Sequence, residues 1–184
     1  MWPHVTCQNQ FKDLKTNIDV IIVGSGIAGC TLAWQWLLNG KSVLMISDVE
    51  KGASAVAAGV YNPTILKRFT SVWKAGVQLD VLTDFYTKIE SHLENTFFHP
   101  LDILRRFHDE REIRTWIKKS VKEDLKDFMS PEVFVFNNTA INAPYDYGKV
   151  VDTGWMDTIG YMIKTEVYLK ENASFSKGVL DFKE

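Results

Sequence analysis

Ile18-Asp19-Val20-Ile21-Ile22-Val23-Gly24-Ser25-Gly26-Ile27-Ala28-Gly29 runs directly into Cys30-Thr31-Leu32-Ala33-Trp34-Gln35-Trp36-Leu37-Leu38. A near-continuous branched apolar run marks a strand buried on both faces, which occurs where helices cover a parallel sheet. The glycines that follow have separate tasks: Gly24 for a tight turn, Gly26 so that backbone can reach a pyrophosphate, and Gly29 so that helix and strand can touch. The helix opening at Ile27 presents unbonded N–H groups and about half a positive charge in its first turn. A diphosphate suits that layout. Strands are expected over about Ile18–Val23 and Ser42–Ser47, joined by a helix over Ile27–Asn39 that Gly40 stops, so the chain opens β-α-β.

The 184 residues are 46% hydrophobic and 24% charged with a net charge of −2, enough for a sizeable core and without the basic field that nucleic acid requires. Cys7 and Cys30 are the two cysteines. One lies in a polar lead-in and the other inside the first helix, which argues against a structural disulfide and for a reducing, cytoplasmic setting. The segment Ile18–Leu38 imitates a membrane span, but three glycines and Ser25 in its middle and a second strand soon after it argue against one, so no membrane partner is expected. His4, His92, His99 and His108 are scattered without metal-ligand spacing, so no metal site is expected. No acid–base dyad and no Ser/His/Asp arrangement stands out, and no catalytic residue is assigned.

Further along, Met1–Asn17 reads as a polar tail, and Lys51–Thr64 is rich in small residues that let a ligand approach backbone. Val72–Leu93 keeps helical spacing, with Leu79, Leu82, Phe85, Tyr86, Ile89 and Leu93 inward and Asp80, Lys88 and Glu90 solvated. A strand is expected over Phe97–Phe107, a surface helix over Asp109–Val121 with Ile113, Trp116 and Ile117 inward, and a strand over Pro131–Phe136. A strand pair around a turn is expected from Ala140–Tyr147 and Gly148–Val151. A helix over about Trp155–Lys170, capped by Asp152 or Thr153, should bury Met156, Ile159, Ile163 and Val167, and Phe175–Phe182 should close the chain as a strand.

The glycine bend, the second strand and then Gly52-Ala53-Ser54-Ala55-Val56-Ala57-Ala58-Gly59-Val60-Tyr61-Asn62-Pro63 together resemble the FAD-dependent D-amino-acid oxidase and glycine oxidase family. The bend alone is shared by NAD, NADP and FAD proteins; the small-residue loop is the discriminating part. Tyr147–Gly154, with the helix and strand after it, is similar to that family's return to its flavin domain. The resemblance implies an α/β fold: a Rossmann-like FAD-binding sheet with helices plus part of an α+β substrate domain, truncated relative to the family. It implies a lead-in over 1–17, the first part of an FAD-binding domain over 18–70, part of a substrate or cap domain over 71–146, and the return over 147–184.

Carried over position by position, the resemblance puts Gly24, Ser25, Gly26, Ile27 and Gly29 at the pyrophosphate of FAD. It puts Ser54, Ala57, Ala58 and Gly59 against the ribityl and flavin portion, and Val179 near the adenine. Where the family ends its second strand with an acidic residue for the ribose hydroxyls, this chain has Ser47, with Asp48 one step on; either Asp48 reaches back or Ser47 serves alone with weaker affinity. Arg68, behind the Asn62-Pro63 turn, is the cation that could hold a substrate carboxylate. The implied activity is oxidation of a small amine or amino acid by hydride transfer to flavin. An NAD(P)-dependent dehydrogenase and a non-catalytic flavoprotein fragment are the alternatives, and a missing C-terminal half or second chain is the implied partner.

Overall fold

In the computed structural model the described residues are 17–48, 52–136, 140–172 and 174–179. They fall into two compact units: the first takes residues to Ala58, Ile89–Phe97 and those from Asp157 onward, and the second takes Gly59–Lys88 and Phe98–Met156. Most of the polar lead-in, with Cys7 and His4, lies outside the described residues, as do Lys51 and the last part of the expected closing strand.

The first unit opens β-α-β as expected, but its first strand is not buried on both faces: Ile21 and Val23 are 57% and 55% exposed, because among the described residues only the face that carries Ile22 is covered. Strand β1 (Val20–Val23) lies parallel to β2 (Val43–Ser47), with Val20 opposite Val43 and Val23 opposite Ile46. Parallel neighbours need a crossover, and helix α1 (Ile27–Leu38) provides it. The helix ends because Gly40 adopts φ +71°. That left-handed residue lets the Gly40 N–H reach the Leu37 carbonyl at 2.9 Å and the Lys41 N–H reach the Trp36 carbonyl at 3.1 Å, closing the last turn. Every residue of β2 is buried, as a central strand requires.

In the second unit the chain forms β3 (Val60–Tyr61), β4 (Thr64–Ile65), β5 (Thr70–Ser71) and then α2 (Ala75–Leu93), whose last turn belongs to the first unit. Tyr86 and Ile89 are buried along α2 as expected. Glu90 is not simply solvated, since its Oε1 accepts from the Phe97 N–H at 2.6 Å. The single strand expected over Phe97–Phe107 is two, β6 (Phe98–Pro100) and β7 (Ile103–Arg106), in different sheets. Helix α3 (Glu110–Ser120), β8 (Met129–Phe134), β9 (Tyr147–Val150) and β10 (Gly154–Met156) follow. One antiparallel sheet has the order β3-β10-β6 and another β7-β9-β8. The chain changes sheets in step at two places: the Leu101 N–H donates to the Thr153 carbonyl at 3.0 Å, and the Thr153 hydroxyl donates to the Leu101 carbonyl at 2.6 Å.

The strand pair expected across Ala140–Val151 is therefore a single strand, β9, sandwiched between β7 and β8. Beneath that sheet lies a core of Phe69, Phe107, Trp116, Leu125, Met129 and Val150. Trp116 of α3 fits because Gly148 of β9 has no side chain, a Cβ there falling 2.4 Å from the indole. Ile117, expected inward, is 42% exposed, because the buried face of α3 is Trp116 and Ser120.

Returning to the first unit, α4 (Thr158–Glu171) starts later than expected because Trp155 and Met156 are paired in β10 with His99 and Phe98. Its cap is Asp157, whose Oδ1 accepts from the Gly160 N–H at 2.9 Å. Its buried face also differs from expectation. Thr158, Tyr161, Thr165 and Leu169 are buried, while Ile159, Ile163 and Val167 stand 47%, 57% and 44% exposed. Hydrogen bonds select the face: Trp34 Nε1 of α1 donates to Thr165 Oγ1 at 3.0 Å, and the Thr31 and Tyr161 hydroxyls meet at 3.4 Å. Strand β11 (Phe175–Lys177) then lies parallel to β2, which gives the order β1-β2-β11 and the α/β class expected of the chain. Among the described residues no helix is long and apolar enough to cross a membrane.

Candidate functional site

The bend between β1 and α1 is built from backbone. Gly24 has φ +100°, its N–H donates to the Ile46 carbonyl at 2.8 Å, and a Cβ on it would meet nothing within 4 Å. A Cβ on Gly29 would fall 2.0 Å from the Gly24 carbonyl oxygen, so no side chain fits where helix and bend touch. Gly26 is the N-cap and has no side chain to cap with. Ser54 substitutes for one: its Oγ accepts from the Ile27 N–H at 3.1 Å. Ser54 is held in turn by the Thr158 hydroxyl, which donates to its carbonyl at 3.2 Å. The N–H groups of Ser25, Gly26, Ala28 and Gly29 have no hydrogen-bond acceptor among the described residues.

A pocket of about 390 Å³ opens on this bend, lined by Gly24, Ser25, Gly26, Ser47, Asp48 and Ser54 among others. The Ser25 and Ser47 hydroxyls are 2.8 Å apart, tying the bend to the end of β2. Behind them the Cys30 thiol donates to the Ser25 carbonyl at 3.3 Å. Burial, and then the Glu166 carboxylate, push that thiol up to about 12, so it stays protonated and unreactive at neutral pH.

Eight of the residues singled out in the sequence thus gather in one place: Gly24, Ser25, Gly26, Ile27, Gly29, Ser47, Asp48 and Ser54. Val179 is 77% exposed just beyond Gly178, whose N–H donates to the Ser47 carbonyl at 2.9 Å. Ala57 and Ala58 are exposed in the first unit. Gly59 belongs to the second, where φ +72° and a Cβ position 2.0 Å from the Met156 carbonyl oxygen account for its being glycine. Arg68 is also in the second unit, exposed, its carbonyl accepting from Lys119 Nζ at 3.2 Å. Sequence reasoning missed the contribution of α4, which adds Ile159, Met162, Ile163 and Glu166 to the pocket wall. Among the described residues no group of three His, Cys, Asp or Glu is placed to hold a metal ion.

The family profile described as FAD dependent oxidoreductase matches residues 19–155. The chain belongs to the FAD-dependent oxidoreductase family. FAD is the cofactor of this family, and the glycine bend with its unbonded N–H groups fits the diphosphate of that group. Two solved structures share the fold of this flavin-family chain. The L-amino acid deaminase from Proteus myxofaciens in complex with anthranilate is 16% identical with a TM-score of 0.56, over 89% of this chain and 38% of that one. The L-amino acid deaminase from Proteus vulgaris with its specific insertion sequence deleted is 17% identical with a TM-score of 0.53, over 92% and 48%. The chain therefore spans between 38% and 48% of the length of these two structures.

Proposed function

We propose that the first unit of this chain binds FAD with the diphosphate on the Gly24–Gly29 bend. We also propose that it serves an oxidoreductase acting on a small amine or amino acid. The observation that carries the reading is the backbone contact at Gly29, 2.0 Å from a Cβ position to the Gly24 oxygen, which leaves a bare run of amides at a helix N-terminus. Ser25, Gly26 and Ala28 donate N–H groups to the diphosphate oxygens, and the positive end of the α1 dipole favours the charge. Ser54 ties the small-residue loop to the first turn of α1 by accepting from the Ile27 N–H, which supports a role for that loop beside the cofactor. Bound FAD supplies a two-electron acceptor for the hydride that leaves the substrate carbon, and the protein contributes placement and electrostatics. An arginine such as Arg68 orients the substrate carboxylate by a bidentate contact.

The test is retention of flavin. Purified chain incubated with FAD and desalted should stay yellow with one FAD per chain, and flavin fluorescence should change on binding. In Gly26→Asp the added Cβ falls 3.2 Å from Ser54 Oγ, so that hydroxyl must give way, but aspartate is a favoured N-cap that can take over the first turn, and its carboxylate repels a diphosphate. FAD affinity should fall at least ten-fold in a chain that circular dichroism shows to be folded. Retention of NADH in place of FAD, or equal FAD affinity in Gly26→Asp, would defeat the reading.

A further inference from the structure

Two residues of α4 that amphipathic patterning would bury, Ile159 and Ile163, stand 47% and 57% exposed, and both line the pocket that holds Gly24, Ser25, Gly26 and Ser47. Glu166 lines it as well. Positions 159, 163 and 166 lie four and three residues apart, so they form one stripe along the helix. The rotation of that stripe is fixed from behind by the Trp34–Thr165, Thr31–Tyr161 and Thr158–Ser54 hydrogen bonds. An apolar wall ending in a carboxylate, beside a diphosphate-sized bend, matches a nucleoside: a flat apolar base joined to a sugar with two hydroxyl donors.

We propose that the Ile159–Ile163–Glu166 face of α4 is the adenosine half of the nucleotide site. The isoleucines lie against the adenine and Glu166 accepts from the ribose hydroxyls in place of the strand-end carboxylate, where the chain has Ser47. This rests on the FAD-binding reading and goes beyond it in assigning the sugar and base to a helix. The Ser47 hydroxyl is already engaged with Ser25 at 2.8 Å, whereas one carboxylate accepts two hydroxyl hydrogens in charge-assisted bonds. Glu166 is well placed for this. Its side chain is 18% exposed, and its Oε1 pairs with a lysine, Lys170, that is itself 54% exposed, while Oε2 has no hydrogen bond among the described residues. The carboxylate's residue lines the same pocket as Gly24, Ser25 and Gly26 of the bend.

Calorimetric titration of the full chain with ADP, 2′-deoxy-ADP and inorganic pyrophosphate tests this, using wild type, Glu166→Gln, Asp48→Asn and Ile163→Ser. Wild type should prefer ADP to 2′-deoxy-ADP by about ten-fold, the size of a hydrogen bond to a charged group. Glu166→Gln should lower ADP affinity by about that factor, erase the preference and leave pyrophosphate binding unchanged. Ile163→Ser should weaken both nucleotides equally and pyrophosphate not at all. Persistence of the preference in Glu166→Gln, its loss in Asp48→Asn alone, or equal binding of ADP and pyrophosphate by wild type would each overturn the proposal while leaving the diphosphate site standing. If wild type binds neither pyrophosphate nor ADP, the FAD reading itself fails. Circular dichroism of each variant confirms that it has folded.

Discussion

A side chain at position 29 has nowhere to go, because the Gly24 carbonyl oxygen already occupies the space 2.0 Å from where its Cβ would be. Gly29→Ala must push α1 off the bend, and the expected loss is about 3 kcal/mol, the upper end of the usual cost of overpacking because the neighbour is backbone. Urea denaturation measures it, with Gly52→Ala, which meets nothing within 4 Å, as the near-neutral control. Cys30 offers a second measurement at the same scale. Its thiol is pushed from an ordinary 9.0 to about 12, by burial first and the Glu166 carboxylate second. Below pH 9 both folded and unfolded chains hold the proton and the stabilisation is fully present. Between 9 and 12 only the unfolded chain releases it, so that stability is lost as pH rises through this window. The alkaline fall in melting temperature should therefore be shallower in Cys30→Ala, and in a Cys7→Ser background iodoacetamide at pH 8 should label the chain only on unfolding. Arg68→Ala, by contrast, should leave stability unchanged, and full turnover in that variant would end the proposed role of Arg68.

Among the elements, α3 has the most closely specified start. The Asp109 carboxylate accepts from the Glu112 N–H at 2.7 Å, and Glu112 reaches back to the His108 N–H at 2.7 Å while Arg105 of β7 donates to it at 2.6 Å. Asp109→Ala should cost about 1 kcal/mol in chemical denaturation. For Glu112, burial acts to raise the pKa, but the bonds from Arg105 and His108 outweigh it and hold the carboxyl below its ordinary 4.5. That stabilisation is present above 4.5 and lost as pH falls through the lowered value, so Glu112→Gln should flatten the acid limb of the stability curve. The helix expected over Asp109–Val121 matches α3 to within one residue at each end because such a start is a local matter of three or four residues, whereas the caps expected for α4, Asp152 or Thr153, give way to Asp157. The Gly24–Gly29 bend and Gly40 are local in the same way as the start of α3, their requirements coming from the backbone at those positions. What misled the reading of α4 was tertiary. Trp155 and Met156 continue the helical pattern but are claimed by distant strand partners, and Ile159 and Ile163 look like core yet line a pocket. The division of Phe97–Phe107 was hidden for a similar reason, since it depends on hydrogen bonds to Thr153 far along the chain.

At the scale of the whole molecule, the family motifs were readable because each is a short run whose residue types answer to local backbone demands, whereas which strands pair at long range is set by residues far apart in the chain. One surface feature of the first unit has a measurable effect. Ile21 and Val23, two residues apart on β1 and so on one face of the sheet, are 57% and 55% exposed. Among the described residues β1 is the edge of its sheet, and exposed branched residues there invite association, so Ile21→Lys should raise the soluble fraction and reduce light scattering on concentration. The position of β11 has another consequence. It pairs with β2, yet the whole of the second unit is encoded between them. On the ribosome β2 emerges before the second unit, and its pairing with β11 must wait until that unit and α4 have been synthesised. The sheet behind the Gly24–Gly29 bend is therefore completed only after its lodger has had time to fold.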